Sequence, residues 1–315
     1  MLREGHESGA ATSGHPLVTI VTPSYNQAQF LPECIESVLS QDYPYLEYII
    51  MDGGSTDGSD RVVQRYDKRV AYWESRPDGG QSDAINRGWE KGSGEILAWM
   101  NADDAYLPGA VSAAAEYLNC HPDIDIVYGD YFATNEQGEV VDAGVPVQPF
   151  DASALMFVDY IPSGSTFIRR SVLRRIGPLD VTLRFVMDWD YWLRASVCCR
   201  FAYLPQRLST FRIHPAARTW SNPAARAVEI ARLAERLTAL PDSEGRPVSA
   251  RKQASGRLLV AAAQNAFAGG ATLSGFEDLW RSVLAAPLIY NRSRARTLAD
   301  LMIRFLARLS GVARS

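Results

Sequence analysis

Short runs of β-branched and apolar residues, each breaking off into Asp, Asn, Gly and Ser, recur along the first part of this chain. The segment Leu17-Val18-Thr19-Ile20-Val21 stops at Thr22-Pro23-Ser24-Tyr25-Asn26, and Tyr48-Ile49-Ile50-Met51 stops at Asp52-Gly53-Gly54-Ser55-Thr56-Asp57. Val70-Ala71-Tyr72-Trp73 leads to Pro77-Asp78-Gly79-Gly80, and Ile96-Leu97-Ala98-Trp99-Met100 runs into Asn101-Ala102-Asp103-Asp104. Between them lie stretches with helical spacing: Leu31, Ile35, Val38 and Leu39, then one reaching about Tyr66, then Ala84, Ile85 and Trp89. A further helix from Pro108 precedes Ile124-Asp125-Ile126-Val127-Tyr128. Uninterrupted apolar strands alternating with helices predict βαβ units and a mostly parallel sheet covered on both faces, an α/β fold. In open sheets of this kind, ligands bind beyond the carboxyl ends of the strands. The polar clusters would therefore converge on one crevice.

Several acids in one crevice repel each other. A divalent cation resolves that conflict, and Mg²⁺ or Mn²⁺ is held by one or two carboxylates with substrate phosphates completing its shell.

Composition narrows the alternatives. Hydrophobic residues make up 47% and charged residues 22% of 315 residues, with a formal charge of −4, which gives no basic footprint for nucleic acid. Cysteines at 34, 120, 198 and 199 form no Cys-x-x-Cys pair, so neither a disulfide framework nor a zinc site is expected, and a reducing cytoplasm fits. No run approaches 18 apolar residues, and residues 1–16 read as a polar, disordered leader. A dinucleotide-binding dehydrogenase would share the sheet, but no Gly-x-Gly-x-x-Gly follows the first strand.

Taken in order, PSYN, DGGSTDGS, GGQSDAINRG, GEILAWMNADD, FVMDWDYWLR and FRIH resemble the family-2 glycosyltransferases. The resemblance spans roughly residues 17–215. It implies a GT-A fold, Rossmann-like, with a nucleotide-sugar half at about 17–104, an acceptor half at about 105–222 and a helical extension over 223–315. The implied activity is inverting transfer of a sugar from a nucleoside-diphosphate donor, with UDP, GDP or dTDP as carrier, to a glycan or lipid-linked acceptor in bacterial polysaccharide synthesis. No Gln-x-x-Arg-Trp follows Asp188, so processive synthesis is not expected.

Roles follow from the same resemblance. Tyr25 would stack on the base and Asp52 would accept its N–H, beside Pro23, Asn26 and Gly54; the ordinary alternatives are packing for Tyr25 and helix capping for Asp52. Asp57 and Asp83 are each divided between donor contact and capping, and Asn86 stands with Asp83. In Asn101-Ala102-Asp103-Asp104 an amide replaces the family's first acid, leaving Asn101 and Ala102 for the ribose and Asp103 as primary metal ligand. Asp104 would be a second ligand or a cap. Asp188 is the expected general base, with Asp190 its rival, because the acid that commonly precedes it is Met187 here. His214 would reach the metal, and Arg212 the diphosphate. Ser163, Ser165 and Thr166 would face the acceptor.

Near the end, Leu298, Leu301, Met302, Phe305 and Leu309 form one stripe, and six arginines lie between 292 and 315. Two readings stand: peripheral contact with an anionic membrane face, or packing within the protein or a dimer. The alternative to the enzyme is a non-catalytic nucleotide-sugar-binding relative, suggested by Asn101 and Met187.

Overall fold

The computed structural model describes residues 14–215, 217, 222–240 and 248–285. The leader before residue 14, the linker at 241–247 and the basic stripe beyond 291 lie outside the described residues.

The first strand, β1 (Val18–Ser24), is buried along its whole length, as its unbroken apolar and threonine content requires of a central strand. It is followed by α1 (Leu31–Leu39), β2 (Leu46–Asp52), α2 (Ser59–Gln64), β3 (Tyr72–Ser75), α3 (Gln81–Lys91) and β4 (Ile96–Trp99). These strands run parallel in the order β3-β2-β1-β4. The chain therefore leaves β1 toward one edge and later returns to its other side. That reversal opens a crevice at the carboxyl ends of β1 and β4.

Beyond β4 the sheet becomes mixed. The next elements are β5 (Ala105–Tyr106), α4 (Ala110–Cys120), β6 (Ile126–Thr134) and α5 (Ala152–Leu155), then a 3-10 turn at Ser163–Ser165, β7 (Thr166–Arg169), α6 (Arg170–Ile176), α7 (Met187–Ala195) and β8 (Phe201–Arg212). Strand β7 lies antiparallel between β4 and β6, while β8 runs parallel to β6 and pairs with β5 at the edge. The β6–β8 register slips around Asp130, where β8 carries Pro205. The mostly parallel sheet expected from the sequence thus holds for β1 to β4, and the remainder is mixed.

Two apolar layers cover the sheet. On one face Leu31, Ile35, Val38, Val111 and Leu118 of α1 and α4 pack on Ile20, Ile50 and Ala98. On the other, Trp89 of α3, Trp99 of β4 and Trp192 of α7 meet, with Trp99 and Trp192 stacked at 5.6 Å and Trp89 edge-on to Trp99 at 5.6 Å. This aromatic block fixes the head of α7 beside the end of β4. Gly88, a helix-interior residue that alone would cost about 1 kcal/mol relative to Ala, is explained by contact, since a Cβ there would meet Val21 Cγ1 at 2.5 Å.

The C-terminal helices α8 (Pro223–Ala239), α9 (Val248–Ala268) and α10 (Thr272–Ala285) follow. Ile230, Leu233, Ala234 and Leu237 of α8 join the core layer that holds Trp192. This helix is built into the body of the molecule.

Candidate active site

A cleft of about 790 Å³ opens at the strand reversal. Its lining comes from the loop after β1 (Pro23, Ser24, Tyr25), from Gly53 after β2, from the loop before α3, from Asn101 to Asp104 after β4, and from Ser163, Asp188 and Arg212. Segments far apart in sequence meet because each parallel strand ends at the same edge.

Tyr25 is 57% exposed, so its ring is available to a planar ligand. Asn26 next to it adopts φ 53°, a left-handed conformation that Asn tolerates better than most residues. Its backbone N–H donates to Ser55 Oγ at 2.8 Å and its Oδ1 accepts from Thr56 N at 2.9 Å. Asn26 thus ties two loops together and does not line the cleft. Asp52 is buried and accepts from Ser55 N (2.9 Å), Ser55 Oγ (2.5 Å) and Ser75 Oγ (2.6 Å). A carboxylate offers about four acceptor positions, so capacity for roughly one further donor remains. Gly54 takes φ +79°, with its Cα facing Pro77.

Three residues expected to touch the donor have other work. Asp57 accepts from Ala28 N at 2.8 Å and from Ser59 N and Oγ, and although burial raises its pKa these bonds hold it below the usual carboxylate value. Asp83 accepts from Gly79 N at 3.1 Å and lies beside Arg87, closing the turn into α3. Asn86 points away from the cleft, where its amide donates to Leu179 O and accepts from Leu179 N, both at 2.9 Å. The spacing that placed these residues after a strand was correct; the loop's own hydrogen-bond needs consume them.

The Asn101 to Asp104 loop is held from several sides. Asn101 Oδ1 accepts from Gln81 Nε2 at 2.7 Å, and its Nδ2 donates to Asp104 Oδ2 at 3.1 Å. The buried Cys34 thiol donates to Asn101 O at 3.3 Å; burial pushes its pKa up to about 12, which makes it an inert thiol. Asp104 is almost fully buried and also accepts from Arg212 N at 2.8 Å. Burial first, and then the charge of Asp103, raise its pKa well above the carboxylate range. Asp103 is the more exposed of the two and meets His214 Nε2 at 3.0 Å. The His214 ring packs on Phe30 at 4.8 Å, so the carboxylate and imidazole are presented as a fixed pair.

Arg212, expected at the diphosphate, is only 4% exposed and fully engaged. It donates to Asp103 O (3.0 Å), Glu136 O (2.9 Å) and Glu33 Oε2 (2.6 Å), and its guanidinium lies 5.0 Å from the centre of Phe30. Most of its N–H groups are thereby spent on the protein itself, and it scaffolds the loop of acids.

Asp188 stands in the first turn of α7 and lines the cleft. Burial raises its pKa, and the N–H of Trp189, donated at 2.9 Å, works against that shift. Asp190 faces the opposite way. Only 1% exposed, it accepts from Arg194 Nε and Arg236 Nη1, both at 2.8 Å, behind the helix. This corrects its expected role as a rival base, since no acceptor hydroxyl can reach it. Met187 takes a hydrogen bond from Ser82 Oγ at 2.8 Å and is buried.

Of the acceptor candidates, only Ser163 lines the cleft. Ser165 is fully buried between Asp130 O (2.9 Å) and Ser209 Oγ (2.6 Å), and Thr166 is buried on Pro162 O (2.8 Å). Both are structural, because β7 turns inward at that point to join the sheet. Asp78, Gln81, Arg184 and Phe185 line the cleft and were not singled out in the sequence. Asp78 and Gln81 stood in the polar cluster expected at the crevice and Phe185 at the head of FVMDWDYWLR, whereas nothing in the pattern marked Arg184, in the loop before α7. That loop is fixed by the buried Glu229 of α8, which accepts from the N–H groups of Arg184 and Phe185 at 2.9 and 2.6 Å.

Among the described residues, no three His, Cys, Asp or Glu side chains form a ready metal cage. Asp103 and His214 are two adjacent donors, which fits an ion that draws its other ligands from substrate oxygens and water.

The structure is similar to S. aureus TarS residues 1–349 in complex with UDP-GlcNAc, with a TM-score of 0.66 at 15% identity, covering 85% of this chain and 79% of that one. It is also similar to the mannosyltransferase PcManGT of Pyrobaculum calidifontis in complex with GDP-Man and Mn²⁺, with a TM-score of 0.59 at 20% identity, over 94% and 87% of the two chains. In sequence it is 28% identical over 211 residues to an uncharacterized glycosyltransferase of Rickettsia typhi, matching 65% of this chain and 66% of that protein's length. A PGL/p-HBAD biosynthesis glycosyltransferase of Mycobacterium tuberculosis is 29% identical over 185 residues, 57% of this chain and 69% of that protein. The family model described as glycosyl transferase family 2 matches residues 19–177, half of the chain, and the chain belongs to that family.

Proposed function

We propose that this chain transfers a sugar from a nucleoside-diphosphate donor to an acceptor hydroxyl with inversion, using a divalent cation and Asp188 as general base. The observation that carries the reading is the meeting, in one cleft, of the exposed Tyr25 ring, Asp103 with the buried His214 against it, and Asp188. Tyr25 would bind the face of the base, with the remaining acceptor capacity of Asp52 available to its edge. Asp103 and His214 would hold Mn²⁺ or Mg²⁺, which when bound supplies the positive charge that stabilises a departing diphosphate. Asn101 would turn its amide to a ribose hydroxyl, and Ser163 would contact the acceptor.

Direct displacement needs a base that takes the acceptor's proton as its oxygen attacks the anomeric carbon. Asp188 suits this role because burial raises its proton affinity while the helix N-terminus and Trp189 N–H keep the carboxylate accessible. A UDP- or GDP-sugar is favoured as donor by the ligands of the structural relatives, and a glycan or lipid-linked glycan as acceptor by the biosynthetic role printed for the mycobacterial relative. Among the described residues no helix is long and apolar enough to cross a membrane. A cytoplasmic protein that acts at a membrane face, through its basic C-terminal segment, agrees with such an acceptor.

The test is slow donor hydrolysis in the absence of acceptor. UDP- and GDP-sugars are incubated with Mn²⁺, and nucleoside diphosphate release is followed for the wild type, Asp103→Ala and Asp188→Asn. Release that needs the metal and Asp103 supports the reading. Firm donor binding without any turnover, equal in wild type and Asp188→Asn, would instead establish the non-catalytic binding protein.

A further inference from the structure

A diphosphate entering this cleft meets acids on several sides. Asp78, Asp103, Asp104 and Asp188 line the walls, and among the described residues the only cationic side chains there are Arg184 and Arg212. Arg212 is buried and turned onto Glu33 and the carbonyls of Asp103 and Glu136. Arg184 is exposed, and its guanidinium has no hydrogen bond or ion pair among the described residues. A free guanidinium therefore stands at the wall of an acid-lined cleft.

The backbone beneath it is fixed from two sides. Glu229 of α8 accepts from Arg184 N at 2.9 Å with each carboxylate oxygen and from Phe185 N at 2.6 Å. Across the loop, Ser82 Oγ in the first turn of α3 lies 3.2 Å from Leu183 O and 2.8 Å from the Met187 sulfur. The residue before it, Gln81, donates through Nε2 to Asn101 Oδ1 at 2.7 Å, and Asn101 opens the loop that carries Asp103. Hydrogen-bonded neighbours thus lead from Arg184 to the metal-binding loop in one direction, while the chain itself leads to Asp188 in the other. Arg184 belongs to the wall between them, and a preset backbone leaves less freedom to be lost on binding.

We propose that Arg184 binds the distal phosphate of the donor, the one that bears the sugar, through paired N–H bonds from its guanidinium. The inference rests on the nucleoside-diphosphate donor proposed above. The planar fork of N–H donors matches two phosphate oxygens. With the base at Tyr25, the distal phosphate is the one joined to the anomeric carbon, and so the one nearest the acceptor oxygen at Asp188. As the acceptor oxygen bonds to that carbon, its proton passes to Asp188, and the bond to the phosphate oxygen breaks with its electron pair left on the phosphate. Arg184 keeps its protons and meets the charge that appears there.

Calorimetry of UDP, GDP and dTDP with Mn²⁺, beside UMP, GMP and dTMP, on the wild type and Arg184→Gln tests this, together with slow hydrolysis at saturating donor sugar. The variant retains the backbone bonds to Glu229, so its unfolding midpoint stays that of the wild type. Its diphosphate affinity falls about tenfold or more while monophosphate affinity stays within about twofold. Release of nucleoside diphosphate by hydrolysis slows about a hundredfold. Unchanged diphosphate affinity, or equal losses for mono- and diphosphate, overturns the proposal. Intact hydrolysis with a loss confined to transfer also overturns it, and assigns Arg184 to an anionic acceptor instead. A wild type that binds none of these nucleotides removes the donor reading and this inference with it. Metal-independent binding that still needs Arg184 for the distal phosphate removes the metal site and leaves Arg184 in its role.

Discussion

Replacing Arg212 with Met should damage both the fold and the donor site, by amounts that follow from its contacts. The side chain gives charged N–H bonds to the carbonyls of Asp103 and Glu136 at 3.0 and 2.9 Å. Bonds of that kind contribute about 1.5 kcal/mol each at the low end. Its pair with Glu33, a side chain 59% exposed, adds less than about 1 kcal/mol, and its approach to Phe30 about 0.5–1. Met preserves most of the apolar packing of the stem, so the expected loss is about 3.5–5 kcal/mol. Urea unfolding would show it as a lower midpoint at constant slope. Freed from Arg212, Asp103 would no longer be held toward His214, and metal-dependent donor affinity should fall about tenfold, the low end for loss of a ligand-orienting partner. A stability loss below about 1 kcal/mol, or unaltered donor affinity in a variant that has lost the full amount, would refute this account of the loop.

The pair Asp188→Asn and Asp190→Asn should separate chemistry from structure: the first abolishes transfer with donor binding intact, the second keeps transfer but costs about 3 kcal/mol through its broken contacts with Arg194 and Arg236, as read by parallel activity and unfolding assays. Asp188 also fixes a pH trend. Its folded pKa lies above the unfolded value, so the folded chain binds a proton that the unfolded chain has released, and stability is lost as pH rises from about 4 through the folded pKa. Thermal midpoints of Asp188→Asn should therefore gain on the wild type between pH 4.5 and 7.5, and a constant gap would contradict this. Tyr25→Ala, exposed and without a packing role, should weaken nucleotide binding by about 1 kcal/mol, roughly fivefold, with no change in unfolding midpoint.

The β1 to β4 part of the sheet was legible because its signals are local. Each buried apolar run specifies a strand, each run ends in turn chemistry, and parallel strands deliver those turns to one edge. Side-chain direction was not legible: Asp188 and Asp190 are two residues apart on one helix, and only packing of α7 against Trp99 and α8 decides which carboxylate sees the cleft. Arg236 and Glu229, which anchor Asp190 and the loop before α7, come from a helix where the sequence resemblance had already faded. The antiparallel insertion of β7 was hidden for a different reason. Four residues long, it pairs with β6, about thirty residues before it, and inserts beside β4, which is not its neighbour in chain order. That pairing is what buries Ser165 and Thr166 and leaves Ser163 at the cleft.

The central claim is that Asn101 to Asp104 and His214 present a metal-dependent diphosphate site. Calorimetric titration of UDP, GDP and dTDP, with and without Mn²⁺, on the wild type and Asp103→Ala addresses it directly. The account predicts that one nucleotide binds tightly only with the metal and that Asp103→Ala abolishes this dependence. Equal binding with and without Mn²⁺, unchanged by Asp103→Ala, would contradict it.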